Sequence, residues 1–272
     1  MKKIVHKVEP GMNIQDVLCT TYQMRNFYQQ FHDGFFTNLD VMNYIQHHAA
    51  AKLARKNWNV VDVCCGRSLM LPLLRYHAKN IASYTGVDIS ATNIREAMRG
   101  CSKKLTLEEL KTYYPFRVCW KQCNVAEMTR VIPEDSADFV IYTSAIEHMH
   151  KDVGTESLKE CYKIMRSDAI MFLSCPNTPG NGYNTQYAAH VYEWGYAELK
   201  DMLQKLGFCI EREVGLVFGA KEMKSMFDAM PDNSLKRFYE DLAQYMPTEW
   251  LTAIMAIPFP QKAKEILFVV RK

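Results

Sequence analysis

Three side chains have the types and spacing to act directly on a bound reactant: Glu147, His148 and His190. Glu147 and His148 come just after the apolar run 138–143, and His190 follows two segments later. Because the imidazole pKa lies near neutrality, His148 could take the proton of a hydroxyl acceptor. A histidine at this position could instead cap a helix or bond to the backbone, so two roles stay open for His148 here.

Two acidic residues, placed in neighbouring apolar runs, predict a site for a ribose. The run 60–63 contains Asp62 and leads into a turn with Cys64 and Gly66, and the next run ends at Asp88. Small residues in such a turn let a ligand approach the backbone closely. An acid that ends the second strand can accept both hydroxyl hydrogens of a ribose. A nicotinamide dinucleotide would use the same features, but the turn lacks the GxGxxG fingerprint and an evident phosphate cradle.

With these motifs the sequence resembles the class I S-adenosylmethionine-dependent methyltransferases, over about residues 57–217 and again at the last strand. Residues 62–68 are similar to the family's loop of alternating glycines, with Cys64 and Ser68 at two of the glycine positions. Residues 143–149, 174–177 and 190–194 match later motifs in the family's order. Each match is weak alone, but together they predict the fold and the cofactor.

The resemblance implies S-adenosylmethionine as the cofactor, with its ribose on Asp88 and its adenine beside Asn124 and Val125. The Asn124 side chain can accept a hydrogen bond from the adenine amino group, and the next backbone N–H could meet a ring nitrogen. The full set of predicted cofactor-binding residues is Asp62, Cys64, Gly66, Asp88, Ile89, Asn124, Val125 and Thr143.

Glu147, His148 and His190 are also similar to the metal site of two groups of O-methyltransferases. One group acts on the 3′ end of small RNAs, and the other acts in ubiquinone synthesis. Their pattern is Glu-x-x-Glu-His, and in this sequence Ser144 stands at the first Glu. The predicted catalytic residues are His148, Glu147 and His190. Because Ser144 replaces that Glu, we favour His148 acting alone as a general base over a divalent metal, as a second cofactor, held by all three.

An aromatic-rich segment precedes the first predicted strand, and in many relatives such a segment covers the cofactor. We expect Tyr28 and Phe31 to line the substrate pocket. The other aromatic residues of this segment are expected to pack on the sheet, which is the usual role of an aromatic stripe.

The elements that must position these residues alternate along the chain, which is typical of a doubly wound α/β fold. Apolar runs predict seven strands, at residues 59–64, 83–89, 116–125, 138–143, 169–175, 208–214 and 265–270. We predict a mostly parallel, Rossmann-like sheet with helices between the strands. Residues 1–57 are predicted as an N-terminal helical lid, and residues 58–272 as the core with a helical insert at about 220–250.

Composition excludes several other classes of protein. The 33 basic and 30 acidic residues leave a net charge of +3, too balanced to indicate a nucleic-acid partner by charge alone. The sequence contains no apolar run of about 18 residues and no secretory signal pattern, so we expect neither a membrane span nor export. Its nine cysteines form no CxxC pair, which favours reduced thiols in the cytoplasm.

The sequence therefore predicts a cytoplasmic S-adenosylmethionine-dependent methyltransferase that acts on an oxygen or nitrogen atom of a small molecule. Two alternatives stay open: an RNA ribose 2′-O-methyltransferase, and a non-catalytic protein that binds the cofactor. In-line transfer from a sulfonium needs mainly alignment of the two reactants. The sequence therefore says little about the acceptor, and it predicts no oligomeric state.

Overall fold

A seven-stranded sheet with helices on both faces forms the centre of the molecule. The computed structural model describes residues 38–98, 114–229 and 232–272. Its strands are β1 (Asn59–Val63), β2 (Ser83–Asp88), β3 (Arg117–Gln122), β4 (Ala137–Thr143), β5 (Met165–Pro176), β6 (Cys209–Leu216) and β7 (Glu265–Arg271). The strand order is β3-β2-β1-β4-β5-β7-β6, and only β7 runs antiparallel to its neighbours among these strands. The predicted mostly parallel, doubly wound fold is confirmed.

The helices lie between the strands, as the alternating pattern predicts. They are α1 (Asn38–Leu53), α2 (Met70–His77), α3 (Ala91–Met98), α4 (Lys151–Ile164), α5 (Tyr196–Lys205), α6 (Ala220–Asp228), α7 (Ser234–Ala243) and α8 (Thr248–Met255). Of the predicted N-terminal lid, α1 is the helix within the described residues. Tyr28 and Phe31 lie outside them. No described helix combines the length and the apolar character that crossing a membrane requires.

Two apolar cores, one on each face, hold the sheet in place. Along β4, Phe139 and Ile141 point into one core, while Val140 and Tyr142 point into the other. This alternation follows from the two-residue period of a strand, and a strand covered on both faces is apolar throughout. Because both faces of the sheet are covered by apolar cores, polar side chains are expected at the ends of the strands, including the carboxyl ends of the parallel strands.

The antiparallel direction of β7 brings the first residue of that strand to the same edge. Glu265 begins β7 and pairs with Pro176, which ends β5. A parallel β7 would instead have placed Glu265 at the opposite edge of the sheet. The direction of this single strand thus adds an acidic residue to the edge where the other polar residues lie.

The helical insert of α6, α7 and α8 connects β6 to β7 and has a small core of its own. Met223 and Met226 are buried there with Phe218 and Met255. These methionines therefore fill the interior of the insert. The last helix of the insert, α8, also packs against α1, which in turn packs against α2.

Candidate functional site

The loop after β1 has an unusual backbone at alternate positions. Cys64, Gly66 and Ser68 all have positive φ angles, of 55°, 53° and 59°. This left-handed region is easily adopted by glycine but strained for residues with a Cβ atom. The structure therefore gives the physical reason for the alternating glycines of similar loops. It also shows that Cys64 and Ser68 keep the same backbone path in this chain.

The carboxylate of Asp88 fixes this loop against the end of β2. Its Oδ2 accepts a hydrogen bond from the backbone N–H of Gly66 at 2.8 Å, and its Oδ1 accepts one from the N–H of Ser90 at 2.8 Å. Next to it, the apolar side chain of Ile89 is 62% exposed. An acid and an exposed apolar surface thus lie side by side at the strand end, which suits a ribose joined to an aromatic base.

Asp62 lies deeper in the same edge and is almost fully buried. The hydroxyl of Tyr84 donates a hydrogen bond of 2.7 Å to its Oδ2. Burial, together with the nearby charge of Asp88, raises the pKa of Asp62 to about 7. The hydrogen bond from Tyr84 opposes this rise. The protonation of Asp62 therefore changes near neutral pH.

The ends of β3 and β4 complete this part of the edge. The backbone N–H of Cys123 donates to the Asp88 carbonyl at 3.0 Å, which places the following residue, Asn124, beside the end of β2. Asn124 is exposed, and its side-chain oxygen accepts a hydrogen bond from the N–H of Ala126 at 3.1 Å. Val125 is buried beneath it, and Thr143 ends β4. The predicted cofactor residues thus lie at the carboxyl ends of four neighbouring strands.

A second group forms just beyond β4, where Glu147, His148 and His190 come together. Each offers one atom that could bind a metal, and these atoms all lie within 4.8 Å of one another. The two imidazole rings meet edge to face, with centroids 4.9 Å apart. The three residues that sequence analysis singled out are therefore neighbours in space.

Backbone hydrogen bonds hold the loop that carries His190 against the turn after β4. The N–H groups of Val191 and Tyr192 donate to the Glu147 carbonyl at 2.7 and 3.2 Å. The His148 Nδ1 lies 3.0 Å from the Ala189 carbonyl. Since a carbonyl only accepts, Nδ1 carries the hydrogen, and the lone pair of the neutral ring is on Nε2.

Burial controls the charge of this group. Glu147 is 2% exposed, and its Oε2 has no hydrogen-bond partner among the described residues. Burial raises the pKa of Glu147 to about 7, although the neighbouring His190 opposes this. Burial likewise lowers the pKa of His148, which the hydrogen bond to the Ala189 carbonyl only partly offsets. His148 is therefore neutral at pH 7 and can offer a lone pair.

Glu193 supports His190, and sequence analysis did not single it out as a site residue. Its Oε1 lies 2.5 Å from His190 Nδ1 and also accepts the N–H of Gln186 at 2.8 Å, while Thr178 donates to Oε2. Burial alone would raise its pKa, but these hydrogen bonds hold the pKa of Glu193 below the usual value. The ionised carboxylate therefore accepts the Nδ1 hydrogen of His190. The spacing His-x-x-Glu was the sequence signal for this pair.

A second buried acid, Glu265, also lies beside this group, and sequence analysis missed it. The Ser144 hydroxyl donates to Glu265 Oε1 at 3.3 Å, and Gln46 of α1 donates to the same hydroxyl at 2.9 Å. Ser174 in turn donates to Gln46 Oε1 at 2.6 Å. Burial and then the charge of Glu147 raise the pKa of Glu265 well above its usual value. The sequence carried no local signal for this acid, because its place at the site depends on the antiparallel direction of β7.

Comparison with known proteins bears on the family and the fold of this chain. A family model described as a methyltransferase domain matches residues 24–230. A probable S-adenosylmethionine-dependent methyltransferase of Mycolicibacterium smegmatis is 28% identical over 144 residues, which are 50% of this chain and 52% of the relative. The chain thus matches about half the length of that curated relative.

Two solved structures are similar in fold over most of this chain. A S-adenosylmethionine-dependent methyltransferase from Archaeoglobus fulgidus has a TM-score of 0.53 at 16% identity, covering 90% of this chain and 99% of its own. The Burkholderia thailandensis 1,6-didemethyltoxoflavin-N1-methyltransferase, with bound 1,6-didemethyltoxoflavin and S-adenosylhomocysteine, has a TM-score of 0.52 at 16% identity. That match covers 97% of this chain and 93% of the other. At these identities the likeness shows the fold alone.

Proposed function

This chain belongs to the class I S-adenosylmethionine-dependent methyltransferases, and we propose that it transfers the cofactor's methyl group to a small-molecule acceptor. One observation supports this most directly. The predicted cofactor residues and the group of Glu147, His148 and His190 lie at the same carboxyl edge of the sheet. Ligands of open α/β sheets bind at this edge.

In the proposed complex the cofactor extends along the ends of β1 to β4. Asp88 holds the ribose hydroxyls, while Ile89, Asn124 and Val125 surround the adenine. Cys64, Gly66 and Asp62 would hold the methionine end, and Thr143 would lie on the side of the methyl group. The left-handed backbone of the loop after β1 supports this placement, because it lets a ligand approach main-chain atoms closely.

The acceptor is proposed to lie against Glu147, His148 and His190. Its nucleophilic atom attacks the methyl carbon, the carbon–sulfur bond breaks, and S-adenosylhomocysteine leaves with the bonding pair on sulfur. A hydroxyl acceptor must also lose its proton, and the neutral His148 ring can accept it on Nε2. Alignment of the two reactants supplies a large part of the rate.

Three buried acids favour a small molecule over RNA as the acceptor. Glu147, Glu193 and Glu265 are each at most 2% exposed and lie around the two histidines. The ionised Glu193 would repel a phosphate backbone, whereas Glu147 and Glu265, whose pKa values burial raises, can exchange hydrogen bonds with a hydroxyl or amine. RNA methylation and cofactor binding without turnover remain outcomes of the assays below.

The first experiment is a calorimetric titration of the purified chain with S-adenosylmethionine. Asp88→Ala should lose at least about tenfold in affinity, or about 1.4 kcal/mol, because charge-assisted bonds to the ribose are lost. Asp88→Asn should lose less. The exposed Asp152, in the first turn of α4, provides the matched control, and Asp152→Ala should bind normally.

Unchanged affinity in Asp88→Ala would contradict this placement of the cofactor. Release of S-adenosylhomocysteine is then scored against a panel of small hydroxyl and amine compounds and against RNA. Binding without turnover on any acceptor would favour the non-catalytic alternative, and turnover on RNA alone would overturn the small-molecule proposal.

A further inference from the structure

We infer that a cavity between the helical insert and the loop after β5 binds a phosphate group, and that the methyl acceptor is a phosphorylated small molecule. The phosphate binding stands on the lysines of this cavity, whereas its assignment to the acceptor rests on the proposed function. The cavity has a volume of about 560 Å³, within the range of about 300–1,000 Å³ that is usual for small-molecule pockets. Three segments line it: the loop after β5, the first half of α6, and residues 261–264, which lead into β7.

The charge of this cavity comes from three lysines. Lys221 lies in the first turn of α6, Lys262 and Lys264 precede β7, and all three are exposed. Among the described residues none of them forms an ion pair or a side-chain hydrogen bond, whereas the neighbouring Lys224 pairs with Asp228. Like charges that share a cleft add up to a positive potential, so a bound anion would be stabilised there.

The single carboxylate among the lining residues, Glu222, is directed towards the start of α6. Its Oε2 and the Nζ of Lys264 both lie beside Gly219, so close that a Cβ atom at residue 219 would collide with Oε2. Three lysines and one carboxylate leave the lining with an excess of two positive charges. A phosphate ester carries a charge of about −1.5 to −2 at neutral pH, so it matches this excess better than a singly charged carboxylate.

The segment with Lys262 and Lys264 is held in place by Asn177, a buried residue to which the proposed cofactor site gives no role. Asn177 Nδ2 donates to the Ala263 carbonyl at 2.8 Å, and the Asn177 N–H donates to the Lys264 carbonyl at 2.8 Å. The N–H of Lys264 in turn donates to the Val217 carbonyl at 2.9 Å. The backbone of the two lysines is therefore fixed before a ligand arrives, which lowers the cost of ordering the site.

The cavity adjoins the proposed acceptor site through Glu193. Two lining residues bond to this carboxylate: the Thr178 hydroxyl donates to Oε2, and the Gln186 N–H donates to Oε1 at 2.8 Å. The same Oε1 contacts His190 Nδ1. One small molecule can therefore place a hydroxyl or amine at the histidines and a phosphate at the lysines.

A single terminal phosphate fits this arrangement better than the backbone of RNA. Thr178 and Gln186 occupy hydrogen-bonding positions of the ionised Glu193 and so shield that carboxylate from a phosphate in the cavity. RNA has a phosphate at every nucleotide, so it would bring further negative charges to the buried acids of the acceptor site. A small acceptor presents only one phosphate, which meets the lysines.

The first test is a titration of the purified full chain with inorganic phosphate, followed by the ³¹P line width of the ion. We expect saturable binding. Lys221→Gln, Lys262→Gln and Lys264→Gln should each weaken it by about three- to tenfold, because each change removes a charge-assisted hydrogen bond. Lys264→Arg keeps the charge and should bind phosphate nearly normally.

Lys224→Gln is the matched control, because Lys224 is exposed on the same helix as Lys221 but does not line the cavity. This variant should bind phosphate as the wild type does. Acetate should compete with phosphate at least about tenfold more weakly than phosphate itself binds, and equal binding of the two anions would overturn the assignment to a phosphate group.

The second test compares acceptors in pairs, with and without a phosphate ester, by release of S-adenosylhomocysteine. The phosphorylated member should be preferred by at least about tenfold in kcat/KM. The three lysine-to-glutamine variants should raise its KM and leave kcat nearly unchanged, since the phosphate is bound equally before and during methyl transfer. Preference for the unphosphorylated member, or for RNA, would overturn the proposed class of acceptor.

Binding of S-adenosylmethionine, measured on the same variants, separates this inference from the proposed function. A chain that binds the cofactor and methylates an acceptor, but shows no saturable phosphate binding or none that depends on the lysines, overturns the phosphate site and leaves the proposed function standing. A chain that binds phosphate through the lysines but not the cofactor overturns the proposed function and leaves the phosphate site. Failure of both titrations overturns both.

Discussion

At the residue scale, the loop after β1 shows how a backbone path can be kept when its usual residues are replaced. Cys64 and Ser68 adopt left-handed φ angles that favour glycine. At Ser68, the side chain makes a compensating contact, since its Oγ accepts a hydrogen bond from the Trp120 indole at 2.8 Å. At Cys64, the thiol packs against the core on one face of the sheet. Side-chain contacts thus offset the strain at both positions.

This strain predicts an unusual order of stability at position 64. Cys64→Gly should be more stable to urea than Cys64→Ala by about 1 kcal/mol, because a Cβ atom is unfavourable in the left-handed region. In an ordinary helix the order is reversed, so Ala197→Gly in α5, at an exposed position, should lose about 0.5–1 kcal/mol. Equal stability of the two Cys64 variants would mean that the loop does not keep this backbone in solution.

At the scale of elements, α1 is attached to the edge of the sheet by one polar side chain. Gln46 is fully buried, donates to Ser144 after β4, and accepts a hydrogen bond from Ser174 in β5. It also donates to Asn43 one turn earlier in the helix, at 2.8 Å. A helix, two strand ends and, through Ser144, the start of β7 therefore share one hydrogen-bonded network.

Loss of Gln46 should therefore destabilise the fold. Gln46→Ala is expected to cost about 1–3 kcal/mol in the free energy of unfolding, because the buried Ser174 hydroxyl loses its acceptor and Ser144 loses a donor. Lys52→Ala, at an exposed position of the same helix, should change stability by less than about 0.5 kcal/mol. Urea unfolding followed by circular dichroism compares the two, and an equal effect of both variants would show that the network does not stabilise α1.

At the scale of the whole molecule, buried acids accumulate at one edge of the sheet. Asp62 and Asp88 lie at the proposed cofactor end, and Glu147, Glu193 and Glu265 at the proposed acceptor end. The fold permits this because β7 brings an acid to the edge that the parallel strands already use. Burial raises the pKa values of Asp62, Glu147 and Glu265, so these groups favour protonation in the folded chain.

The stability of the molecule should therefore depend on the protonation of Asp62. Its folded pKa, about 7, lies above its ordinary value of 3.8, so the folded chain holds this proton more tightly than the unfolded chain. The corresponding stabilisation is complete below about pH 4 and is lost as the pH rises to about 7. Asp62→Asn should remove this part of the pH dependence, so its stability relative to the wild type should be higher at pH 7.5 than at pH 5.

Urea unfolding at the two pH values measures this difference. The control Asp152→Asn, at an exposed position, should leave the pH dependence unchanged. The same slope in Asp62→Asn and in the wild type would show that Asp62 titrates normally in the folded chain.

The sequence alone determined the strands, their alternation with helices and the acid that ends β2. These features are local, since apolar runs and helical periods reflect burial of neighbouring residues. The observed strands start and end within a few residues of the predicted positions, apart from β5, whose start at Met165 precedes the predicted one, and β3, which ends at Gln122. Glu147 and His148 follow one another in the chain, so the sequence alone also showed that they lie side by side.

Only the tertiary structure decided which distant residues share the site. Backbone hydrogen bonds bring His190 to Glu147, and the antiparallel direction of β7 brings Glu265 to Ser144. The left-handed angles at Cys64 and Ser68 also depend on packing, because local preference alone would oppose them. Contacts between residues far apart in the chain depend on strand order and direction, which local periodicity does not encode.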